Sequence, residues 1–204
     1  MRILGRIVGV QSTEQSVGIK VGDFCSRHHK TNTKGQKGTA MTKSSIINDL
    51  KSMGLTGSET ILIHSSMKAV GNVEGGADTV LDALMEFFAD GLLLLPTHTW
   101  KTVNESNPVF DVSNSESCVG ILTELFRKRP GVVRSLHPTH SIAAFGRNAE
   151  SYIAGELSCN TPCTPGGCYD RLKDVDGKIL LIGVTHARNT YIHLSLIHIS
   201  EPTR

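Results

Sequence analysis

The sequence predicts an α/β fold with a central sheet covered by helices on both faces. Residues 60–64 and 92–95 are mostly β-branched or aliphatic runs of strand length, as is typical of strands buried on both sides. Between them, apolar residues recur at helical spacing, which predicts a β-α-β unit with parallel strands. A third run at 178–184, Lys-Ile-Leu-Leu-Ile-Gly-Val, is the clearest strand signal in the chain.

Each predicted element begins or ends at a residue that favours a boundary. Ser44 or Ser45 can cap a first helix, which Gly54 ends. Pro96 ends one strand, and Pro130 follows a later helix. In chain order we predict a helix from 44 or 45 to 53, a strand at 60–64, a small-residue loop at 65–76, a helix at 78–89, a strand at 92–95, a helix at 119–128, and strands at 141–145 and 178–184.

The composition is that of a soluble globular protein and argues against several function classes. The 204 residues are 39% hydrophobic and 20% charged, which suits one domain with a sizeable core. A net charge of +2 is low for a nucleic-acid-binding protein, and no apolar run reaches the roughly 18 residues typical of a membrane span. Five cysteines are too few, and odd in number, for a secreted disulfide scaffold. We therefore expect a cytoplasmic protein without nucleic-acid or membrane partners.

The first forty residues differ from the rest of the chain. Residues 1–40 carry seven of the 21 basic side chains and two of the 19 acidic ones, so the net charge is +5 there and −3 in residues 41–204. They lack a sustained helical or strand pattern and a convincing signal-peptide cleavage site. We predict a disordered or non-native extension, with Met41 as a candidate start. The alternative is a basic tail that contacts nucleic acid or a membrane.

Polar side chains follow three of the four predicted strands. His64-Ser65-Ser66 comes after the first, Thr97-His98-Thr99 after the second and Thr185-His186 after the last. Ligands of open α/β sheets collect at the carboxyl ends of the strands, so these residues predict one crevice lined by hydroxyls and imidazoles. Strand ends are also polar simply because they are exposed, which accounts for part of the pattern.

A glycine-rich loop leads directly into the second predicted helix. Its sequence is Gly71-Asn72-Val73-Glu74-Gly75-Gly76. Free N–H groups at a helix N-terminus favour anionic oxygens, such as those of a nucleotide or coenzyme A pyrophosphate. The alternative is a tight turn that requires positive φ and binds nothing.

The segment from Arg134 to Ser141 carries the clearest candidate for proton transfer. His137 and His140 flank a proline, and imidazole is the side chain best matched to acid–base work near neutral pH. Metal binding with His64 or His186 is a rival use, although neither an HExxH pattern nor a Cys-x2-Cys pair supports it. A serine hydrolase built from Ser65 or Ser66 with His140 lacks the Gly-x-Ser-x-Gly elbow. We interpret the cysteines at 159, 163 and 168 as ordinary loop residues rather than zinc ligands.

Taken in order, these segments resemble the aminoglycoside N(3)-acetyltransferase family. The resemblance covers about residues 42–194, and its most specific part is the His-Pro-x-His-Ser segment with its flanks. The matching segments are Ile63-His64-Ser65-Ser66, Val70-Gly71, Gly75-Gly76-Ala77, Val80 to Leu84, Leu95-Pro96-Thr97-His98-Thr99, Gly120-Ile121-Leu122, Phe126-Arg127, Pro130 to Ser141, Gly177 to Val184, Asn189-Thr190 and His193.

The resemblance implies a three-layer α/β/α sandwich with a central mixed sheet, acetyl-CoA as donor, no metal, and the 3-amino group of a 2-deoxystreptamine antibiotic as acceptor. It implies that His140 is the general base of a direct transfer, with His137 as a less favoured or structural candidate. The residues expected to contact the cofactor are His64, Ser65, Ser66, Val70, Gly71, Gly75, Gly76, Thr97 and Ser141. Those expected to bind the cationic substrate are Asp111, Glu116, Asp170 and Asn189.

The sequence departs from the family pattern in two places. Family members continue beyond His193-Leu194 with a carboxylate-bearing segment, whereas residues 195–204 fit neither the family nor a capped helix. We therefore predict an acetyltransferase domain over residues 41–194, incomplete at its C-terminus, and a non-native tail over 195–204. On this interpretation the alternative function is an inactive fragment or a CoA-binding remnant. The second departure is His98, where an aromatic residue is common in the family.

Overall fold

The computed structural model describes residues 7–11 and 40–191, and within them it contains one six-stranded mixed sheet with helices packed on both faces. The strands are β1 (Ile7–Gln11), β2 (Thr60–Ser65), β3 (Leu92–Pro96), β4 (Val133–Arg134), β5 (Ile142–Gly146) and β6 (Lys178–Ile182). The helices are α1 (Lys43–Ser52), α2 (Met67–Val70), α3 (Gly76–Phe87), α4 (Ile121–Phe126) and α5 (Ala149–Ile153). Short 3₁₀ helices span Glu156–Ser158, Asp170–Leu172 and His186–Arg188.

The strands lie in the order β1-β6-β2-β3-β5-β4. β6, β2 and β3 are parallel neighbours at the centre, and α3 connects β2 to β3 as the predicted β-α-β unit. β1, β5 and β4 are antiparallel to their neighbours at the two sides of this parallel group. The carboxyl ends of the three parallel strands therefore lie at the same edge of the sheet.

Successive residues of the central strands point into two different cores. Because side chains alternate along a strand, Ile61 and Ile63 pack on one face while Leu62 packs on the other. The first core is covered by α1, α3 and α4, and it includes Leu50, Leu81, Leu84, Phe88 and Phe126. The second is covered by α5 and the chain around 168–172, and it includes Tyr152, Cys168, Tyr169 and Leu172. The prediction of a sheet covered on both faces is confirmed.

The helix boundaries differ from those predicted, for local reasons. Thr42, rather than Ser44 or Ser45, caps α1: its Oγ1 accepts from the Ser45 N–H at 3.2 Å, while Ser45 Oγ accepts from the Thr42 N–H at 2.9 Å. This reciprocal capping box satisfies two N–H groups that would otherwise lack partners. Residues 65–76, predicted as a loop, contain the four-residue helix α2. α5 was not predicted, because its five residues are too few to show a helical period.

The strand β1 also differs from the expectation for residues 1–40. Residues 7–11 pair with β6, in a register that joins Ile7 to Ile182 and Gln11 to Ile179. The other residues of 1–39, and residues 192–204, lie outside the part of the chain that the structure describes. The division into an extension, a domain over 41–194 and a tail over 195–204 therefore stays a prediction. Among the described residues, no helix combines the length and the apolar character needed to cross a membrane.

Leu93 tests the core between the sheet and the helices α3 and α4. Its side chain is completely buried. We expect Leu93→Ala to lower the free energy of unfolding by about 2–5 kcal/mol, because the change removes buried methyl groups and leaves a cavity. Denaturant unfolding followed by circular dichroism measures this difference. As a matched control, Leu157→Ala removes a side chain that is 76% exposed and should change stability by less than about 0.5 kcal/mol.

Candidate active site

The pairing of β5 with β3 brings two distant segments to the edge where the parallel strands end. Pro96, the last residue of β3, lies opposite Ile142, the first residue of β5. The two segments stay together beyond the strands, since the Thr97 N–H donates to the Ser141 carbonyl at 2.8 Å and the Thr99 N–H to the Thr139 carbonyl at 3.0 Å. Residues 97–99 and 139–141 therefore face each other at the carboxyl end of β3.

Four histidines, His64, His98, His137 and His140, form a cluster at this edge, which we call the histidine cluster. The ring centroids of His98 and His140 are 4.6 Å apart, and those of His137 and His140 are 5.7 Å apart. Burial lowers the pKa of His98, and the charges of the other three imidazoles lower it further. His64 is therefore close enough to His98 to interact with it electrostatically. His186, which the sequence also placed in the crevice, is exposed in its 3₁₀ helix and does not contribute to this shift.

His137 holds the turn that carries His140. Its Nδ1 accepts the N–H groups of Thr139 at 3.3 Å and His140 at 3.1 Å, so the proton of the neutral ring is on Nε2. Burial lowers the pKa of His137, and the nearby Glu156 carboxylate opposes that shift. His137 Nε2 and Glu156 Oε2 are both buried and lack a hydrogen-bond partner among the described residues. These two hydrogen bonds order the turn before His140, and the predicted role of His137 at the site stays a prediction.

His98 and His64 are the most strongly perturbed groups of the cluster. Burial, reinforced by the neighbouring imidazoles, lowers the pKa of His98 to about 3. Its Nε2 lies 2.6 Å from the hydroxyl oxygen of Tyr169, which is hydrogen-bond distance. Burial likewise lowers the pKa of His64 to about 4, and a hydrogen bond with the Asn189 side chain opposes the shift.

His140 is the accessible histidine of the cluster. It is half-buried, whereas His64, His98 and His137 are buried. Its Nδ1 lies 2.9 Å from the Thr139 hydroxyl, and the tautomer that carries its proton on Nδ1 leaves Nε2 as the basic nitrogen of the ring. His140 is therefore the residue of the histidine cluster that is most exposed to solvent, and its predicted role as the general base stays a prediction.

The side-chain hydroxyls of Thr97 and Ser141, which were predicted to contact the cofactor, are both hydrogen-bonded within the protein. Thr97 and Ser141 are fully buried, and their Oγ atoms lie 3.0 Å apart. Arg134 Nε donates to both oxygens, at 3.2 Å and 3.1 Å. Their predicted contact with a cofactor stays a prediction, and in this structure they connect β3, β4 and β5.

The other predicted cofactor residues lie between β2 and α3. His64 and Ser65 end β2, Ser66 and Val70 bound α2, and the three glycines follow. Gly75 and Gly76 adopt φ values of 73° and 66°, so a glycine-specific turn explains part of this motif. Gly75 caps α3 without a side-chain hydrogen bond, which leaves the first N–H groups of α3 without such a partner. A groove of about 590 Å³ lies beside α1 and α3, and Gly75 is the one predicted cofactor residue in its lining, which is formed by Thr42, Lys43, Ser44, Ile47, Glu74, Gly75, Thr79 and Glu86.

The residues predicted to bind a cationic substrate occupy different environments. Asp111 and Glu116 are exposed, and Asp111 also accepts N–H groups of its own turn from Ser113 and Asn114. Asp170 is buried and pairs with Lys173 Nζ at 2.6 Å, while Asn189 is buried beside His64. Their role in substrate binding stays a prediction.

Three residues of this region were not predicted as functional. Tyr169 and Glu156 lie in an irregular region without a periodic pattern, so no local signal connected them to the histidines. Arg134 was predicted only as the first residue of the segment that carries the two histidines, and a buried arginine is itself unusual. The cysteines at 118, 159, 163 and 168 are free thiols, and within residues 7–11 and 40–191 no three His, Cys, Asp or Glu side chains are arranged so that they could hold a metal ion.

Comparison with known proteins identifies the family of this chain. A sequence model described as aminoglycoside 3-N-acetyltransferase matches residues 62–200. The chain belongs to this family. Its relatives include aminoglycoside N(3)-acetyltransferase VII of Streptomyces paromomycinus, 31% identical over 171 residues, and aminoglycoside N(3)-acetyltransferase IV of a Salmonella species, 31% identical over 163 residues. These matches cover 75% and 78% of this chain but only 59% and 60% of the relatives, so the chain spans about 60% of their length.

Solved structures of family members share this fold. AAC(3)-IVa without ligand has a TM-score of 0.72 and 30% identity, covering 80% of this chain and 63% of that one. A binary complex of AAC-IIIb with CoASH has a TM-score of 0.71 and 26% identity, covering 80% of this chain and 66% of that one. The α/β/α fold implied by the sequence resemblance is therefore confirmed.

The neutral, buried histidines of this family member predict a loss of stability in acid. An unfolded histidine has a pKa near 6.5, whereas folding lowers the pKa of His98 to about 3 and that of His64 to about 4. As the pH falls below 6.5, the unfolded chain binds protons that the folded chain does not. The free energy of unfolding should therefore fall between pH 6.5 and pH 4, by up to about 1.4 kcal/mol per pH unit for each ring.

Denaturant unfolding at several pH values measures this slope. His98→Gln should make the slope shallower, because it removes one of the two rings. His186→Gln is the matched control, since its ring is exposed to solvent in the folded state and should leave the slope unchanged. An equal slope in His98→Gln and the unmodified chain would contradict the assignment.

Proposed function

We propose that this chain transfers the acetyl group of acetyl-CoA to the 3-amino group of a 2-deoxystreptamine aminoglycoside. The observation that carries the proposal is the half-buried His140, at the carboxyl edge of the sheet, among three buried histidines of a chain in this family. Because the chain spans about 60% of the length of its relatives, both the activity and the substrates are part of the proposal.

His140 supplies the base that the reaction needs. An amine attacks a thioester only through a free lone pair, and an aminoglycoside amine is mostly protonated near neutral pH. The buried imidazoles around His140 have lowered pKa values, so they remain neutral in this range. His137 fixes the turn that carries His140 through two N–H···Nδ1 hydrogen bonds. The hydrogen bonds of His137 thereby fix the orientation of the His140 ring, and the neutral neighbouring imidazoles place no positive charge beside it.

The proposed transfer is direct. The ammonium group first releases one proton to solvent, which frees the lone pair of the amine. The amine nitrogen then forms a bond to the thioester carbonyl carbon, His140 Nε2 takes one of the remaining amine protons, and the carbon–sulfur bond breaks. The proton then passes to the departing thiolate, so the products are an amide and coenzyme A. Backbone N–H groups or a hydroxyl near the strand ends would donate to the oxygen on which negative charge develops.

The region between β2 and α3 is the proposed site of the donor. The Gly76 N–H at the start of α3 donates to the Val73 carbonyl at 3.0 Å, and the N–H groups that follow it have no side-chain cap and suit the pyrophosphate of acetyl-CoA. Ser65, the last residue of β2, and Ser66, which precedes α2, are the proposed hydroxyl contacts of the donor. The binary complex of the related AAC-IIIb with CoASH supports coenzyme A as the carrier.

A polyamine is the proposed acceptor. The exposed carboxylates Asp111 and Glu116 offer it favourable charges, and the net charge of −3 over residues 41–204 agrees with a cationic ligand. Structures of related enzymes contain such molecules: AAC(3)-IVa histidine-to-alanine mutants with apramycin and with a gentamicin, and AAC-VIa with sisomicin. These relatives support a small-molecule amine as the partner.

The test is an acetylation assay on the purified 204-residue chain with acetyl-CoA and a panel of aminoglycosides, read by product mass. We expect an acetylated product, and we expect His140→Gln to lower kcat by about 100-fold or more, because a positioned general base contributes roughly that factor. His186→Gln, an exposed histidine, is the matched control and should keep full activity.

Two results would contradict this proposal. A folded chain that acetylates no member of the panel would show that the 204 residues do not carry the activity, even if they bind coenzyme A. Full activity in His140→Gln would leave the transfer intact but remove His140 as its base.

A further inference from the structure

Arg134 in β4 is a buried cation whose hydrogen bonds join two parts of the site. The residue is only 8% exposed. Its guanidinium donates five hydrogen bonds: from Nε to the hydroxyls of Thr97 and Ser141, from Nη2 to the Thr97 carbonyl at 2.8 Å, and from Nη1 to the carbonyls of Val112 at 3.1 Å and Ser115 at 2.6 Å. Its terminal carbon also lies 5.1 Å from the centre of the Phe110 ring.

These acceptors are unusual for a buried arginine. All five are carbonyl or hydroxyl oxygens, so the guanidinium is bonded to dipoles and packed on an aromatic ring, while the carboxylates of Glu124 and Asp111 act on its charge without being bonded to it. Burial lowers the pKa of Arg134 to about 10, which reflects the cost of removing its charge from water. An apolar side chain would fill the same space without that cost. The arrangement is therefore explained by what Arg134 connects, not by packing.

One group of its acceptors belongs to the histidine-bearing edge of the sheet. Thr97 precedes His98, and Ser141 follows His140. By bonding both side chains, Arg134 fixes the two segments relative to each other where the catalytic histidine is proposed to act.

The other group belongs to residues 110–117, which we call the acidic loop. This loop contains the exposed carboxylates Asp111 and Glu116, and Arg134 is bonded to it through the carbonyls of Val112 and Ser115. Other hydrogen bonds of the loop run to α4 and the residue after it, since Arg127 Nη1 donates to the Ser113 carbonyl at 2.6 Å and the Ser117 N–H donates to Glu124 at 2.7 Å. Just after the loop, the Cys118 N–H donates to the His98 carbonyl at 2.7 Å. Within residues 110–117, Arg134 bonds the middle of the loop to the sheet.

We propose that Arg134 is a positioning residue that sets the place of the acidic loop relative to the histidine cluster, and that it thereby determines the affinity for the cationic acceptor. It touches neither substrate; it acts through Thr97 and Ser141 on one side and through the loop backbone on the other. This inference rests on the proposed function, because the acceptor and its amine are defined there.

Arg134→Lys tests the proposal, because lysine keeps the charge but cannot reach five acceptors in a planar array. We expect faster amide hydrogen exchange in residues 110–117 of the full chain. We also expect the KM for the aminoglycoside to rise about tenfold, while the KM for acetyl-CoA changes by less than about twofold. Arg147→Lys is the matched control, since Arg147 is exposed and should leave both measurements unchanged.

A second variant keeps the proposal testable if Arg134→Lys fails to fold. Phe110→Leu removes the ring next to the guanidinium without removing the buried charge, and it should produce the same two changes in smaller measure. Unchanged exchange in the acidic loop of a folded variant overturns the proposal, as does an equal rise of both KM values. Faster loop exchange in a chain that acetylates nothing would instead establish the attachment and reject the proposed function.

Discussion

The antiparallel pairing of β5 with β3 is the constraint on which the candidate site depends. The parallel strands β6, β2 and β3 bring their carboxyl ends to one edge, as in other α/β sheets. A parallel neighbour would contribute its end to that edge, whereas β5 contributes its beginning, so residues 137–141 arrive beside residues 97–99. The histidine cluster exists because of this reversal of strand direction.

The interior at this edge is polar and is organised by dipoles rather than by ion pairs. His64 and His98 are buried as neutral rings, and Arg134 is buried as a cation among carbonyl and hydroxyl oxygens. In a medium of low polarity each hydrogen bond of such a network is stronger, and each unpaired polar atom is more costly. Within residues 7–11 and 40–191, the Nε2 atoms of His64 and His137 have no hydrogen-bond partner, which departs from well-satisfied packing at the place where chemistry is proposed.

The fold was largely predictable because its central strands carry a strong local signal. The apolar runs at 60–64, 92–95 and 178–184 coincide with β2, β3 and β6 to within a few residues, since only a doubly covered strand needs every side chain to be apolar. Short elements were less predictable. β4 has two residues and α5 has five, and neither length can display a period. Thr42 replaced the predicted cap because the capping box depends on a reciprocal bond with Ser45.

By itself the sequence determined the fold class, the family and the two histidines of the His-Pro-x-His-Ser segment, because strand runs and short motifs are local properties. Only the tertiary structure decided which residues surround them. The His98–Tyr169 hydrogen bond joins residues 71 apart, and the Arg134–Thr97 bonds join residues 37 apart. Strand order and strand direction determine these partners, because they place distant residues side by side. The spacing of residues along the chain does not indicate which residues meet.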